Sequence, residues 1–225
     1  MYTMVTKCRL KPTNPDERRD QIVSVAASAF ADEGYGATSM SSLATRLGGS
    51  KATLYKYFRS KGQLFEAVVR QRCDRMLETL RDMVGSGCDD LELLLSGFGT
   101  RYLSAIYEPG ALDLHRMLHS EGARFPELAE IFCRSGSNVI VEELCFTLEQ
   151  FIRSGLIVCD DPPLAASQYL GMLRGDRHLR FAVGAQAALD ALNIEHHARH
   201  AARLFVRGLL WHPLMPTSLD NKRLE

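Results

Sequence analysis

Between Ser50 and Lys61 the chain reads Ser-Lys-Ala-Thr-Leu-Tyr-Lys-Tyr-Phe-Arg-Ser-Lys, a run of hydrogen-bond donors and positive charge set between aromatic rings. At 100° per residue Leu54 and Phe58 fall on one side of a helix, while Lys51, Thr53, Tyr55, Lys56 and Tyr57 project elsewhere. Such a face has the length and chemistry to enter a DNA major groove. Lys and Thr reach base edges or phosphates, and Tyr hydroxyls donate to phosphate oxygens. Ala52, small and near the helix start, lets that end come close to a duplex. The same composition also suits an ordinary solvated face with two surface tyrosines.

The remaining reactive residue types form weaker constellations. His115 with His119, and His196 with His200, are i, i+4 pairs that can present two imidazoles on one helix face, with His178, Cys133 or an acidic side chain as a third ligand. Hydrogen-bonded or surface histidines are the plainer reading, and no metal is assigned. The six cysteines stand singly without a C-x-x-C, which speaks against a zinc ribbon or a disulfide framework and for reduced thiols in a cytoplasm. Cys73 after Arg72 and Cys133 before Arg134 are the two with a cationic neighbour, a weak basis for redox sensing. There is no G-x-G-x-x-G, G-x-S-x-G, Walker A or H-E-x-x-H, so neither an enzyme nor a cofactor is expected.

The elements that must position these residues read as helices throughout. Apolar residues recur at helical spacing nearly everywhere, and β-branched residues never alternate with polar ones over a useful length. Asn14 is placed as N-cap of a first helix with Pro15 at its first position, Asp16 and Glu17 in its first turn, and a buried stripe of Ile22, Val25, Ala26, Ala29 and Phe30. Gly34 is placed to end it. Ser39 caps a short helix carrying Met40, Leu43, Ala44 and Leu47, Gly48-Gly49 breaks it, and Ser50 caps a second short helix to Phe58. Two such helices around a Gly-containing turn make a helix-turn-helix candidate. A longer helix follows from Ser60 to the loop at Gly85. Further helices run to Trp211, punctuated at Glu108-Pro109-Gly110, Phe125-Pro126, Gly136, Gly155, Asp161-Pro162-Pro163, Gly184 and Asn193. The expected fold is all-α, about nine helices in total, with a helix-turn-helix domain over residues 1–60, a larger helical domain over 61–215, and a tail over 216–225.

Charge supports that division. The 225 residues carry 27 basic and 27 acidic side chains, a balance that by itself suggests no nucleic acid. Residues 1–62, however, hold 10 basic against 5 acidic side chains and the rest 17 against 22, the asymmetry of a basic DNA-binding head on an acidic body. The arm before the first helix adds Lys7, Arg9 and Lys11, which either lie along a groove or fray. The longest apolar run is the four residues Leu156–Cys159, so neither a membrane span nor a secretion signal is read, and the expected location is cytoplasmic.

From Ala26 to Phe65 the order of residues resembles the DNA-binding domain of TetR/AcrR-family transcriptional repressors. The resemblance rests on Ala26 with Phe30, Gly34-Tyr35, Thr38-Ser39, Leu43-Ala44, Leu47-Gly48, Lys51-Ala52-Thr53-Leu54-Tyr55-Lys56-Tyr57-Phe58, Ser60-Lys61 and Leu64-Phe65. It implies a three-helix DNA-binding head over residues 1–60, a ligand-binding and dimerisation body over 61–215, and a homodimer that binds a palindromic double-stranded DNA operator and is released when a small molecule binds. It also implies roles for single residues. Ser39 and Ser41 would approach the phosphate backbone, Lys51, Thr53, Tyr55 and Tyr57 would make the main groove contacts, Lys56 would reach base or phosphate, and Lys61 would hold a phosphate. Three positions depart from the family pattern: Gly49 for the usual Val, Ala52 for the usual Gly or Pro, and Gly62 for the usual Glu. Gly49 adds backbone freedom to the turn at a cost of about 0.5–1 kcal/mol.

The body resembles AcrR/AefR-like repressors at Leu118–Leu128 and Leu170–Arg180, several of which respond to lipophilic or toxic compounds. In such proteins the last two helices pair across the dimer, for which Leu170, Leu173, Leu204, Phe205, Gly208, Leu209 and Trp211 would serve here. A pocket for a hydrophobic or amphipathic effector is expected from Phe98, Tyr102, His115, Met117, His119, Phe146, Tyr169, Met172 and His178, although such residues at helical spacing also make plain core. A metal- or redox-responsive regulator of the same fold, and a helical adaptor that binds no DNA, are the other readings.

Overall fold

The computed structural model describes residues 14–182 and 191–210, and every regular element among them is helical. In chain order these are α1 Pro15–Glu33, α2 Met40–Arg46, α3 Lys51–Tyr57, α4 Lys61–Gly85, α5 Leu91–Ile106, α6 Pro109–Glu121, α7 Pro126–Phe132, α8 Asn138–Arg153, α9 Pro162–Ala182 and α10 Ala191–Leu210. A π turn at Cys133–Ser137 joins α7 to α8. The described residues divide into two compact units. One takes those within Met1–Gln71 and Pro109–Ser135, the other those within Arg72–Glu108 and Gly136–Glu225.

In the first unit α1 starts as its sequence demands. The Asn14 side chain accepts the Asp16 N–H at 2.9 Å, Pro15 occupies the first position, and Asp16 and Glu17 face the positive end of the helix dipole. Its buried stripe is Ile22, Val23, Ala26, Ala29 and Phe30, so Val23 takes the place expected for Val25. Gly34 closes the helix at φ +83°, a conformation a Cβ strains, and its N–H returns to the Phe30 carbonyl. The core then gathers rings: Phe30 and Tyr35 each lie 5.8 Å edge-on from Phe65, and Tyr35 lies 5.5 Å from Phe125. Phe125 comes from the loop before α7, and α6 packs along α1. Helices remote in sequence thus complete the core around the helix-turn-helix.

In the second unit α5 buries Leu91, Leu94, Leu95, Phe98, Tyr102, Leu103 and Ile106, a stripe kept at i, i+3, i+4, i+7 over its whole length. It packs on α10, whose Ala198, Ala201 and Ala202 present small side chains to the seam. Gly99 is required there by space. A Cβ would stand 2.9 Å from both Leu173 Cδ2 and Tyr169 Oη, and 3.2 Å from Ala198 Cβ. Arg203 of α10 reaches Glu92 of α5 at 3.1 Å, and Arg81 of α4 reaches Glu143 of α8 at 3.0 Å.

Four breaks fall otherwise than the sequence suggests, Asn193 lying inside α10, and the break expected at Gly184 lies outside the described residues. Pro109-Gly110 begins α6, because proline in the first turn lacks only an N–H that would go unpaired anyway. Gly136 lies within the π turn and does not interrupt the helical path from α7 to α8. Conversely, α9 is interrupted at Gly175, whose φ of +50° and ψ of −163° no helix contains.

Candidate nucleic-acid interface

The helix-turn-helix is assembled from local capping first. The Ser39 hydroxyl accepts the Ser42 N–H and the Ser42 hydroxyl accepts the Ser39 N–H, both at 3.0 Å, a reciprocal box at the start of α2. The Ser50 hydroxyl accepts the Thr53 N–H at 3.1 Å and stands 3.0 Å from the Thr53 hydroxyl. Between the helices Gly48 has φ +60°, so the residue whose backbone requires glycine is Gly48; Gly49 is not in that region. The usual valine's place is instead crowded from outside, since a Cβ on Gly49 would meet an Arg18 guanidinium nitrogen at 3.2 Å.

Tertiary contacts then fix α3. Leu54 and Phe58 are buried, with the Arg19 guanidinium 5.4 Å over the Phe58 ring. Lys51, Ala52, Tyr55 and Lys56 are exposed, Tyr55 at 48%, and Thr53 and Tyr57 are half-buried. Ser39 and Ser41 are exposed at the α2 end. Arg46 holds α2 to α1 by pairing with Glu33 and, at 3.8 Å, Asp32. Arg59, which sequence reasoning passed over, is an exposed cation just after α3. Its only signal was adjacency to the recognition stretch.

Lys61 is placed differently from its expected phosphate contact. Its ammonium donates to the Tyr35 carbonyl at 2.6 Å and the Thr38 carbonyl at 2.9 Å, and sits 4.0 Å over the Tyr35 ring. Burial pushes it below the ordinary lysine range, while Glu121 and Glu127 pull the other way. Tyr35, its hydroxyl pushed up by burial and then by Glu127, belongs to the same cluster. Glu121, at the end of α6, accepts the Gly36 N–H at 2.6 Å and occupies the space beside Gly34 where a Cβ would lie. The loop from α1 to α2 is therefore clamped by Lys61 and by Glu121. The Thr38 hydroxyl adds a 2.7 Å bond to the Gly34 carbonyl.

The expected effector residues are divided between the two units. Phe98, Tyr102 and Tyr169 do meet, in the second unit, as a filled ring cluster. Phe98 lies 5.7 Å from Tyr102 and 6.4 Å from Tyr169, whose hydroxyl donates to the Leu95 carbonyl at 2.7 Å. His115, Met117 and His119 belong to α6 in the other unit, where His115 packs edge-on to Phe132, Met117 is buried and His119 is exposed. Phe146 is exposed, Met172 is half-buried, and half-buried His178 lies 6.4 Å from Tyr107. A cavity of about 370 Å³ in the second unit lies instead between α4 and α5, and none of the nine residues lines it.

Of the residues expected to pair two copies, Leu170, Leu173 and Phe205 are buried inside the chain. Leu204 and Gly208 are exposed on α10 and Leu209 is half-buried. Trp211, like Lys7, Arg9 and Lys11 of the arm, lies outside the described residues. The His196 and His200 rings stack 6.3 Å apart, yet among the described residues no three His, Cys, Asp or Glu side chains gather as a metal site. Burial, then Asp74, raise the Cys73 thiol to about 11, which leaves it protonated and unreactive near neutrality. No helix among the described residues is long and apolar enough to cross a membrane.

A capped helix-turn-helix presenting a cationic, tyrosine-bearing α3, followed by a larger helical region, defines a helix-turn-helix transcriptional regulator. Comparison with known proteins supplies the family. Residues 22–68 match the family described as bacterial regulatory proteins, tetR family, and residues 94–208 match that of the AefR-like transcriptional repressor, C-terminal domain. The chain belongs to the TetR family. Its relatives include the transcriptional activator FasR of Mycolicibacterium smegmatis, 37% identical over 35% of this chain and 36% of that protein. They also include the transcriptional repressor KstR2 of the same species, 33% identical over 39% of this chain and 42% of that protein. The matches thus span well under half the length of these curated relatives. Among solved structures, a TetR-family regulator from Mesorhizobium loti aligns with a TM-score of 0.73 and 26% identity, covering 87% of this chain and 98% of that one. The flavonoid-responsive regulator FrrA aligns with a TM-score of 0.67 and 29% identity, covering 86% and 97%. The fold and the family are those of transcriptional regulators and not of enzymes.

Proposed function

We propose that the chain is a ligand-responsive, DNA-binding transcriptional repressor that acts as a homodimer on a palindromic operator and is released by a small hydrophobic or amphipathic effector. The observation that carries this reading is α3. Its Leu54 and Phe58 anchor it to the core while Lys51, Ala52, Tyr55 and Lys56 stand exposed together at a capped helix start. In a major groove Lys51, Thr53, Tyr55, Lys56 and Tyr57 face bases and phosphates, and Ser39 and Ser41 approach the backbone from α2. Ser39 does so with its N–H and hydroxyl already engaged in the capping box, so its contribution to a phosphate is the remaining hydroxyl capacity.

Two copies read two half-sites about one helical turn apart, roughly 34–36 Å. Leu204, Gly208 and Leu209 of α10 are available for pairing them. Release requires that the effector bind one conformation better than the other, and α4, which extends from the helix-turn-helix into the effector-binding region, is the element to carry that difference. The matched AefR-like repressor family and the name of KstR2 support repression; FasR, named an activator, marks the other sign.

The test is selection of bound fragments from a random duplex pool, followed by titration of the best fragment against salt. A palindrome bound by a dimer, with log affinity falling by about 4–8 per log unit of salt, is expected. Failure to enrich any sequence after extraction of copurified ligand refutes the reading. So does a Tyr55→Phe, Lys51→Ala protein that binds the selected fragment as the parent does, for the assignment of α3.

A further inference from the structure

We infer that the cavity between α4 and α5 is an anion-recognition site, built for the carboxylate or phosphate headgroup of an amphipathic small molecule. At about 370 Å³ it falls within the range of small-ligand pockets. Its polar lining holds three guanidiniums, Arg72 and Arg75 one turn apart on α4 and Arg101 opposite them on α5, against one carboxylate, Glu108. Ser104 adds a hydroxyl, and Met76 and Ala105 supply apolar wall for the remainder of the ligand.

The acidic neighbours of Arg72 and Arg101 are distant and solvated. Arg72 is only 20% exposed, yet its acidic neighbour Glu108 is 3.8 Å away and 63% exposed, too distant for a hydrogen bond and well solvated. Arg101 likewise has Glu78 at 3.7 Å and 65% exposed. A guanidinium withdrawn from water beside a second one is costly unless an anion completes the arrangement. Burial depresses Arg72; Glu108 opposes it, and the charge of Arg75 adds a smaller lowering. Arg101 is also oriented in advance. Its Nε donates to the Arg75 carbonyl at 3.1 Å, which fixes the plane of the fork that would grip a carboxylate or phosphate.

As an effector subsite this inference rests on the regulator reading, so anion binding and DNA release are measured separately. Calorimetric titration of the full chain with octyl phosphate, octanoate and 1-octanol, below micelle-forming concentrations, compares three headgroups on one tail. At least one anion is expected to bind ten or more times tighter than octanol, and the preferred one identifies the headgroup. Arg72→Gln and Arg101→Gln are each expected to weaken that anion at least tenfold. Arg101 is half-exposed, so its variant carries the test if R72Q does not fold. Octanol binding as well as both anions, no binding of any, or an R101Q protein that binds the anion unchanged overturns the site. In a second arm the anion is added to the DNA complex. Release by the anion from the parent but not from R101Q is expected, and binding without release overturns the effector role while leaving the site. A protein that takes the anion but binds no DNA refutes the regulator reading alone.

Discussion

Replacing Lys61 with methionine separates two roles for one residue. As a phosphate ligand its loss would remove one counterion-releasing contact, reducing the salt slope of DNA binding by about 0.9, and would leave stability within about 0.5 kcal/mol. The structure points the other way. Lys61 donates two charge-assisted hydrogen bonds, to Tyr35 at 2.6 Å and Thr38 at 2.9 Å, and lies 4.0 Å over the Tyr35 ring. Hydrogen bonds to a charged group contribute about 1.5–3 kcal/mol each and an exposed cation–π contact about 0.5–1 kcal/mol. The site is partly solvated, the terms overlap, and burying the ammonium opposes them, so the net loss in Lys61→Met is about 2–3 kcal/mol. Methionine keeps the apolar stem, so little of that loss is packing. For a chain of this size it corresponds to a fall in Tm of roughly 4–12 °C. Urea and thermal unfolding by circular dichroism read the stability. Fluorescence anisotropy on the selected operator, at a temperature where the variant is folded, reads the salt slope. A variant as stable as the parent whose slope drops by about one would refute the clamp and restore the phosphate role.

Three further outcomes test the packing and electrostatics. Gly99→Ala forces a methyl to within 2.9 Å of Leu173 and of a Tyr169 hydroxyl already bound to Leu95, so it should cost about 1–3 kcal/mol, whereas Gly171→Ala, with nothing within 4 Å, should gain about 0.5–1 kcal/mol; equal unfolding midpoints would contradict the close approach. Burial would raise the Glu66 carboxyl, but hydrogen bonds from Arg70 and Ser135 and the charges of Arg70 and Arg134 hold it below the usual glutamate value. Its stabilisation is therefore present above about pH 4.5, the unfolded-state value, and is lost as pH falls through the lower folded one; Glu66→Gln should flatten the acid limb of stability against pH, and an unchanged limb would show that the network is not formed. Cys73, buried and raised to about 11, should resist iodoacetamide at pH 8 while exposed Cys133 is labelled, as peptide mass spectrometry would show; comparable labelling of both would place Cys73 in reach of solvent.

Features governed by short-range physics are legible in the order of residues. Asn14-Pro15, the serines at 39 and 50 and the stripe Leu91 to Ile106 specify helix starts and inner faces, because capping and i, i+3, i+4 spacing act within one or two turns. The exposed face of α3 was legible for the same reason: Leu54 and Phe58 could only point one way together. Interruption was less legible, since whether Gly136 or Gly175 breaks a helix depends on what surrounds it and not on glycine alone. Which side chains meet across long separations is settled by the packing of the folded chain. It turned Lys61 inward onto the Tyr35 and Thr38 carbonyls, brought Glu121 to Gly36 from 85 residues away, and put the α6 residues His115 and His119 in a different unit from Phe98 and Tyr169. It also set Arg101 opposite Arg72 and Arg75 around a cavity that no local spacing announces. Helical periodicity says which face of a helix is buried; which partner covers it is set by packing over the whole chain.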